Sequence, residues 1–211
     1  MTTWLVSIAV ALVVLAASVL LFLNPVWVGF EQDRVGAAAL TGFAPADVRS
    51  VTSSILGDLI LSTGDFGVTL NGAPVLTDAE RSHMRDVRGV FEGFFLLVGL
   101  SAIALVVTWR RAATAASRTR WWAAARRGAG ALVVVIAVLG VISVVAFDAA
   151  FEAFHRLFFA AGSYDFDPRT SHLIQLFPDQ FWSDTTIALA VVAIAIATAV
   201  AWIAGRRRQG A

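Results

Sequence analysis

The sequence GAGALVVVIAVLGVISVVAF, residues 128–147, runs for twenty residues without a charged side chain. A helix needs roughly 17 to 25 apolar residues to cross a bilayer, so this stretch predicts a transmembrane span. Similar apolar runs predict three more spans over about residues 2–23, 89–109 and 185–205. Hydrophobic residues make up 58% of the 211 residues, which is typical of a membrane protein. We therefore predict an all-α membrane protein in which one domain, residues 1–211, contains four transmembrane helices.

The distribution of arginine predicts how the four spans are oriented. The connection 110–127 contains six arginines and the tail at 206–208 contains three, and neither segment contains an acidic residue. Short segments rich in Lys and Arg stay on the cytoplasmic side, so we expect a multi-pass protein of the plasma membrane with both termini in the cytoplasm. Residues 24–88 and 148–184 are then extracytoplasmic loops. We expect these two loops to form a small cap that places any active site on the extracytoplasmic face.

The arginine clusters and the missing residue types also limit the chemistry. Basic clusters that flank spans are topology anchors and lipid-headgroup contacts, so we expect membrane lipid as a partner and no nucleic acid. The chain has no cysteine, which excludes disulfides, thiolate zinc ligands and a cysteine nucleophile. It also lacks a GxSxG elbow, a Walker loop and a dinucleotide fingerprint. No cofactor is expected, and in an acyl-transfer reaction the nucleophile would come from the substrate or from histidine.

The first outer segment carries three local structural signals. Apolar residues recur at helical spacing over residues 48–60, between Pro45 and Gly64, which predicts an amphipathic helix. The sequence LNGAP, residues 70–74, predicts a turn with a short hairpin. The sequence TDAE, residues 77–80, matches a capping box. It predicts that the helix of span two begins well before the apolar run.

Two histidines fall on predicted helix extensions beside carboxylates. His83 and Asp86 are three residues apart and share a face of the helix that leads into span two. Asp148, Glu152 and His155 lie on one stripe if the helix of span three continues beyond the apolar run. A histidine beside a carboxylate is the usual unit of general acid–base catalysis. The alternative is that these charged groups only cap helix ends and face lipid headgroups.

The third histidine and a metal site are weaker candidates. His172 follows Ser171 in a loop and has no carboxylate at helical spacing, so a structural role is favoured. Two histidines with Asp86, Glu152 or Asp148 would supply enough ligands for a divalent metal. No HExxH or comparable run of ligands is present, so we predict no metal.

Two longer motifs carry a resemblance to a known family. One is ERSHMRDV, residues 80–87, before span two. The other begins with FHRLFF, residues 154–159, and continues through FDP at 166–168 to PDQFWSD at 178–184, before span four. In this order and placement the motifs resemble the bacterial integral membrane family that includes the lipoprotein intramolecular transacylase, Lit. With the four spans, the resemblance covers nearly the whole chain.

The resemblance implies an enzyme that acts on diacylglyceryl lipoproteins. It would move the sn-2 acyl chain to the α-amino group of the N-terminal cysteine and leave the lyso form. The two family histidines fall on His83 and His155. Our hypothesis is that His155, oriented by Glu152 or Asp148, is the base, and that His83, supported by Asp86 or by Glu80, donates to the oxyanion or leaving oxygen. Reversed roles and an acyl-histidine step remain open.

The aromatic residues of the second outer segment then have a candidate role as the entrance for acyl chains. This set consists of Phe158, Phe159, Phe166, Phe177, Phe181 and Trp182. The alternative for each is plain anchoring at the membrane interface. Two other functions also remain open for the protein. They are a non-enzymatic accessory or scaffold protein and a metal-dependent membrane hydrolase.

Overall fold

The computed structural model describes residues 3–209, and within this range the chain forms nine helices and one short hairpin. The helices are α1 Thr3–Leu20, α2 Pro25–Val35, α3 Ala37–Thr41, α4 Pro45–Leu61, α5 Asp78–Arg111, α6 Ala115–Val145, α7 Phe147–Phe158, α8 His172–Leu176 and α9 Asp179–Gln209. The strands are β1 Thr69–Leu70 and β2 Ala73–Pro74. Helices α1, α5, α6 and α9 are long and apolar enough to cross a membrane. The predicted all-α fold with four transmembrane helices is confirmed.

The basic connection between spans two and three is mostly helical. Only residues 112–114 separate α5 from α6. Thr114 and Ser117 cap the start of α6, because the Thr114 hydroxyl accepts from the Ser117 N–H at 3.2 Å and the Ser117 hydroxyl accepts from the Thr114 N–H at 3.0 Å. This reciprocal capping lets α6 begin about thirteen residues before the predicted span, so the arginines lie largely on helix ends.

The described chain divides into two compact units. Unit 1 contains the described residues up to Leu20, Phe94–Ile142 and those from Ile187 onward. Unit 2 contains Leu21–Gly93 and Ser143–Thr186. All three histidines belong to unit 2, so the candidate site is described within that unit.

Small side chains allow the helices of unit 1 to pack closely. Its buried core consists of Val6, Val10, Val14, Ala124, Ala125, Ala129, Leu132, Ile136, Ala193, Ala197 and Ala204. Helices α1 and α6 approach closely at Gly128, where a Cβ would lie 2.7 Å from the Ser7 Cα. The Ser7 hydroxyl donates to the Ala124 carbonyl at 2.8 Å in the same region. Small residues and serine hydroxyls are the usual means of packing membrane helices.

Replacing Gly128 with alanine is expected to destabilise unit 1. The added methyl group would clash with the backbone of Ser7, and overpacking of this kind costs about 1 to 3 kcal/mol. We expect a lower unfolding midpoint in detergent. Gly130→Ala is the matched control, because nothing lies within 4 Å of a Cβ at that position. Its midpoint should be unchanged or higher, and equal midpoints for the two variants would contradict the packing described here.

Unit 2 is built around α4, which begins at Pro45 and ends at Leu61 as the periodicity predicted. The core of the unit consists of Val28, Ala37, Val48, Val51, Ile55, Leu56, Leu59, Phe66, Val75, Leu76, Met84, Leu173, Leu176, Phe177 and Phe181. Helix α4 packs against α2, α3 and β1. These contacts form the scaffold on which the first turns of α5 are held.

The hairpin predicted at residues 70–74 is present. Strands β1 and β2 pair antiparallel, with Leu70 opposite Ala73. Asn71 and Gly72 form the turn with φ of 51° and 81°, in the left-handed region that a two-residue hairpin turn requires. The hairpin returns the chain toward the start of α5.

Helix α2 had no sequence-based prediction and packs on α4. The Asn24 side chain accepts from backbone N–H groups of its first turn, and Pro25 occupies a first-turn position. Gln32 is 1% exposed. Its amide donates to the Leu176 carbonyl at 3.0 Å and accepts from the Thr52 hydroxyl at 3.0 Å. This one buried side chain therefore ties α2 to both α4 and α8.

Candidate active site

The helix of span three does continue past the apolar run, but with a break. Ala146 lies between α6 and α7 with φ −147° and ψ 57°, which is not helical. Helix α7 then carries Asp148, Glu152 and His155 on one stripe, as predicted. His155 is buried at the end of this stripe, whereas Asp148 is exposed.

The structure brings His83 of α5 and His155 of α7 face to face. Their rings lie 6.0 Å apart between centroids and are inclined by only 23°. The exposed fractions are 7% for His83 and 9% for His155. Phe159 and Phe166 contact the His83 ring at 4.9 and 5.9 Å, and Tyr164 contacts the His155 ring at 4.9 Å. Two imidazoles are thus enclosed by aromatic rings.

The orientation of His155 is fixed by a backbone group. Its Nδ1 lies 2.8 Å from the carbonyl oxygen of Phe151, one turn earlier in α7. A carbonyl oxygen only accepts, so the hydrogen bond requires the proton on Nδ1 and leaves Nε2 as the acceptor of the neutral ring. His155 is therefore held in the tautomer that a general base acting through Nε2 needs.

The carboxylates predicted to orient His155 do not make that contact. Glu152 accepts from Arg156 Nε at 2.6 Å and from the Tyr164 hydroxyl at 3.3 Å. Asp148 lies in the first turn of α7, where a negative charge stabilises the helix. Helical side chains lean toward the N-terminus, which directs His155 to the preceding carbonyl. Arg156 follows Glu152 by four residues and captures its carboxylate.

His83 has an available ring nitrogen. Within residues 3–209, its Nδ1 is buried and has no hydrogen-bond partner. His83 precedes the predicted membrane run of α5 at 89–109. Burial lowers the pKa of His83 from its ordinary value of 6.5, and the neighbouring His155 lowers it further, whereas Asp86 acts in the opposite direction. The ring of His83 is therefore neutral at neutral pH.

Replacing Asp86 with asparagine is expected to move the His83 titration to lower pH. The change removes the negative charge that raises the pKa of His83 and leaves burial and His155 to lower it. The His83 ring signal in an NMR titration measures this, and the chain has only three histidines to assign. Asp78→Asn is the control, because its fully exposed side chain lies five residues earlier in α5. A shift to higher pH would contradict the assigned role of Asp86.

Glu80, predicted to support His83, joins the start of α5 to α8. One carboxylate oxygen accepts from the Thr77 N–H at 2.7 Å and the Thr77 hydroxyl at 2.8 Å, and this confirms the capping box. The other accepts from the Ser171 hydroxyl at 2.5 Å and the Leu173 N–H at 3.1 Å. Burial raises the pKa of Glu80, but these hydrogen bonds outweigh it and lower the pKa overall. Glu80 therefore fixes the start of α5, the helix that carries His83, and makes no hydrogen bond to His83 itself within residues 3–209.

His172 lies outside the histidine pair and has its own partners. Its Nδ1 donates to the Val75 carbonyl oxygen at 2.9 Å. Its ring contacts Phe43 at 4.9 Å. The hydrogen bond fastens α8 to the segment after the hairpin, and the ring contact joins α8 to the connection between α3 and α4. Both contacts are of the kind expected for a structural role of His172.

The other four aromatic residues of the predicted acyl-chain set divide into two pairs. Phe158 is 47% exposed and Trp182 is 41% exposed. Phe177 is 8% exposed and Phe181 is 3% exposed, and both belong to the core of unit 2. Because α8 and the first turn of α9 close this core, Phe177 and Phe181 fill it and do not line an entrance. For the other four members of the set, the acyl-chain role stays a prediction.

Metal binding was the other chemistry that two histidines and a carboxylate suggested. Within residues 3–209, no group of three or more His, Cys, Asp or Glu side chains is arranged to hold a metal ion. Glu152 is bound to Arg156 instead. The chemistry that the pair itself offers is proton exchange and hydrogen bonding.

A cavity of about 530 Å³ lies beside the histidine pair. We call it the Tyr164 cavity. It is lined by Phe151, Glu152, Arg156, Ala161, Gly162, Tyr164, Asp165 and Phe166. Phe151 and Tyr164 contact the His155 ring, and Phe166 contacts the His83 ring. The cavity and the pair therefore share three aromatic walls.

Four apolar helices define a multi-pass membrane protein, and a buried pair of imidazoles marks its candidate site. The family model described as lipoprotein intramolecular transacylase Lit matches residues 4–182. This chain belongs to the Lit family. It is an acyltransferase that carries out intramolecular acyl transfer on bacterial lipoproteins.

Solved structures agree with this assignment at the level of the fold. The membrane-integral lipoprotein intramolecular transacylase Lit from Bacillus cereus is 15% identical, with a TM-score of 0.80 over 99% of this chain and 94% of that chain. A histidine-to-arginine variant of the Bacillus cereus protein, also 15% identical, matches with a TM-score of 0.70 over 99% of this chain and 91% of that one. The search of curated proteins finds no match.

Proposed function

We propose that His83 and His155 form the catalytic centre of this transacylase. The sn-2 acyl chain of the diacylglyceryl group is transferred there to the α-amino group of the N-terminal cysteine, and the lyso-glyceryl lipoprotein is released. The observation that carries the proposal is the pairing of two buried imidazoles, of which one keeps an acceptor nitrogen and the other an unpartnered one. Family membership supports the reaction, and the geometry of the pair supports the choice of residues.

The reaction needs few groups from the protein. The amine nitrogen attacks the ester carbonyl, a C–N bond forms, and the C–O bond to glycerol breaks. A base must take the proton that the amine loses, and a donor must stabilise the oxyanion and protonate the leaving oxygen. Holding amine and ester together contributes about 7 to 11 kcal/mol toward the barrier through effective molarity. No cofactor and no enzyme nucleophile are required by this sequence of steps.

His155 is suited to be the base. The Phe151 carbonyl holds its proton on Nδ1, so Nε2 takes the proton from the attacking amine. The resulting imidazolium keeps the same hydrogen bond, because the carbonyl continues to accept. His155 then gives this proton to the leaving glycerol oxygen as the tetrahedral intermediate collapses and the C–O bond breaks.

His83 is suited to stabilise the oxyanion. Its neutral ring has one N–H group to donate, and its buried Nδ1 has no competing partner within residues 3–209. Donors in a dry, aromatic environment stabilise developing charge more strongly than donors in water.

The surface of α7 supports placement at the membrane interface. Phe154, Leu157 and Phe158 are 49%, 75% and 47% exposed on this helix. Arg156 is also exposed there, so apolar rings and a charge lie side by side, as in interfacial helices. With the arginine-rich helix ends in the cytoplasm, the two loops form an extracytoplasmic cap. The histidine pair then lies at the depth of the ester groups of a membrane-anchored lipoprotein.

A crossover experiment tests the reaction directly. Purified protein in lipid receives a mixture of two synthetic diacylglyceryl lipopeptides that differ in peptide sequence, one with deuterated acyl chains. The account predicts N-acylated products in which each peptide keeps its own isotopic label. Products with exchanged labels would show transfer between molecules and contradict the proposal, as would the absence of N-acylated product from folded protein.

A further inference from the structure

The side chains that line the Tyr164 cavity carry more negative than positive charge. Its charged side chains are Glu152, Arg156 and Asp165, which leaves one net negative charge. Arg156 Nε binds one oxygen of Glu152 at 2.6 Å. Asp165 is exposed and has no hydrogen-bond or ion-pair partner within residues 3–209. An unpaired carboxylate therefore faces a cavity that adjoins two buried imidazoles.

The substrate offers a matching charge. An α-amino group has a pKa of about 7.7 to 8.0, so it is largely an ammonium ion at neutral pH. The rest of the modified cysteine, with its thioether and two ester-linked chains, is uncharged. The ammonium group is thus the one part of this head group that a negatively charged cavity would recognise.

We propose that the Tyr164 cavity is the amine subsite, in which Asp165 and the second oxygen of Glu152 bind the α-ammonium group of the lipoprotein cysteine. This inference rests on the proposed function and adds the position of the nucleophile to it. Tyr164 lines the subsite and also contacts the His155 ring, at 4.9 Å between ring centroids. The subsite therefore borders the base.

The subsite binds the amine without trapping it in the charged form. The side chain of Glu152 is 45% exposed, and Asp165 is also exposed. Ion pairs in contact with water are weak, at about 0 to 1 kcal/mol. Transfer of the proton to His155 therefore costs little binding energy. The buried side of the pair, with Phe159 and the unpartnered His83 Nδ1, is left for the ester.

A binding measurement tests the subsite separately from catalysis. The probes are two diether lipopeptides, which have no ester to transfer. One carries the α-amine, and the other has hydrogen in its place. We expect wild-type protein to bind the amine form roughly three- to tenfold more tightly. Asp165→Asn should reduce this preference, and the double variant with Glu152→Gln should abolish it. Asp78→Asn, a fully exposed control in unit 2, should retain it.

The outcomes separate the two proposals. Equal binding of both probes by wild-type protein, or a preference that survives the double variant, would overturn the amine subsite. Neither result depends on turnover, so the role of His83 and His155 would be unaffected. In turnover assays, Asp165→Asn should raise KM and leave kcat close to that of wild type. A loss confined to kcat would also overturn the subsite.

Discussion

Replacing His155 with alanine is expected to lower kcat for N-acylation by about 10²- to 10⁴-fold, the usual contribution of a positioned general base. The fall should appear in kcat more than in KM, because Nε2 acts on the proton that is lost in the transition state. The measurement is the rate of N-acyl product formation by purified protein from a synthetic diacylglyceryl lipopeptide. His83→Ala should cost about 10²- to 10³-fold, as loss of an oxyanion donor does.

The third histidine provides the control for these variants. His172 is bonded to the Val75 carbonyl and contacts Phe43, outside the histidine pair. His172→Ala should lower stability slightly and leave kcat within a few-fold of wild type. The effects of losing His83 and His155 together should not multiply, since the two groups act on one transition state. Full activity of the folded His155→Ala variant would remove His155 from the mechanism.

Replacing Glu80 with alanine is expected to destabilise unit 2 by roughly 3 kcal/mol or more. Loss of a capping box costs about 1 kcal/mol. The change also leaves the Ser171 hydroxyl and the Leu173 N–H without their acceptor. Each buried donor left unpaired costs about 1 to 3 kcal/mol. Thermal unfolding in detergent measures the effect, and activity should fall with the folded fraction because α5 carries His83 three residues later.

An exposed glutamate on the same helix serves as the control. Glu92 accepts from the Ser62 hydroxyl at 3.2 Å and is exposed, so Glu92→Ala should change stability by less than about 1 kcal/mol. Similar midpoints for Glu80→Ala and Glu92→Ala would contradict the anchoring role of Glu80.

Acidic pH should reduce the stabilisation of the fold that Glu80 provides. Its pKa in the folded protein is lowered from the ordinary 4.5, so its charged form is favoured by folding. The stability that it contributes is fully present above pH 4.5 and is lost as pH falls through the folded pKa. The difference in unfolding midpoint between wild type and Glu80→Gln should therefore narrow below about pH 4.5.

The sequence predicts most features that depend on local patterns. Long apolar runs indicate the four spans, and residues 48–60, 70–74 and 77–80 indicate α4, the hairpin and the capping box correctly. These features are set by periodicity, turn residues and caps within a few positions. Helix α2 also has such signals, since Asn24 and Pro25 stand at its start and Gly36 follows its end. The sequence of α2 is short and mixes polar and apolar residues without a clear period, so these start and stop signals are not distinguishable from those of a loop.

Features that depend on distant or competing partners are not predictable in this way. Spacing places Glu152 beside His155, but it does not distinguish that contact from a bond between His155 and the Phe151 carbonyl. The bond from Ser171 to Glu80 joins residues ninety-one positions apart. Ala146 interrupts the helix although alanine favours helices, so the break comes from tertiary structure and not from propensity.

The sequence also did not predict which of the aromatic residues are buried. Phe177 and Phe181 fill the core of unit 2, whereas Trp182, the next residue, is exposed. All three belong to one aromatic motif, and only the packing of α8 and α9 separates them. Tyr164 contacts the His155 ring at 4.9 Å, and no spacing rule predicts this pairing.

Tandem mass spectrometry of a reporter lipoprotein tests the central claim most directly. The host makes only the diacylglyceryl form and expresses wild-type protein, His155→Ala or His172→Ala at equal levels in the membrane. Transfer within one molecule leaves its mass unchanged, so fragment ions must report it. The account predicts N-acyl and monoacylglyceryl fragments with wild type and His172→Ala, and intact diacylglyceryl fragments with His155→Ala. N-acyl fragments from His155→Ala at the wild-type level would contradict a catalytic centre at this histidine pair.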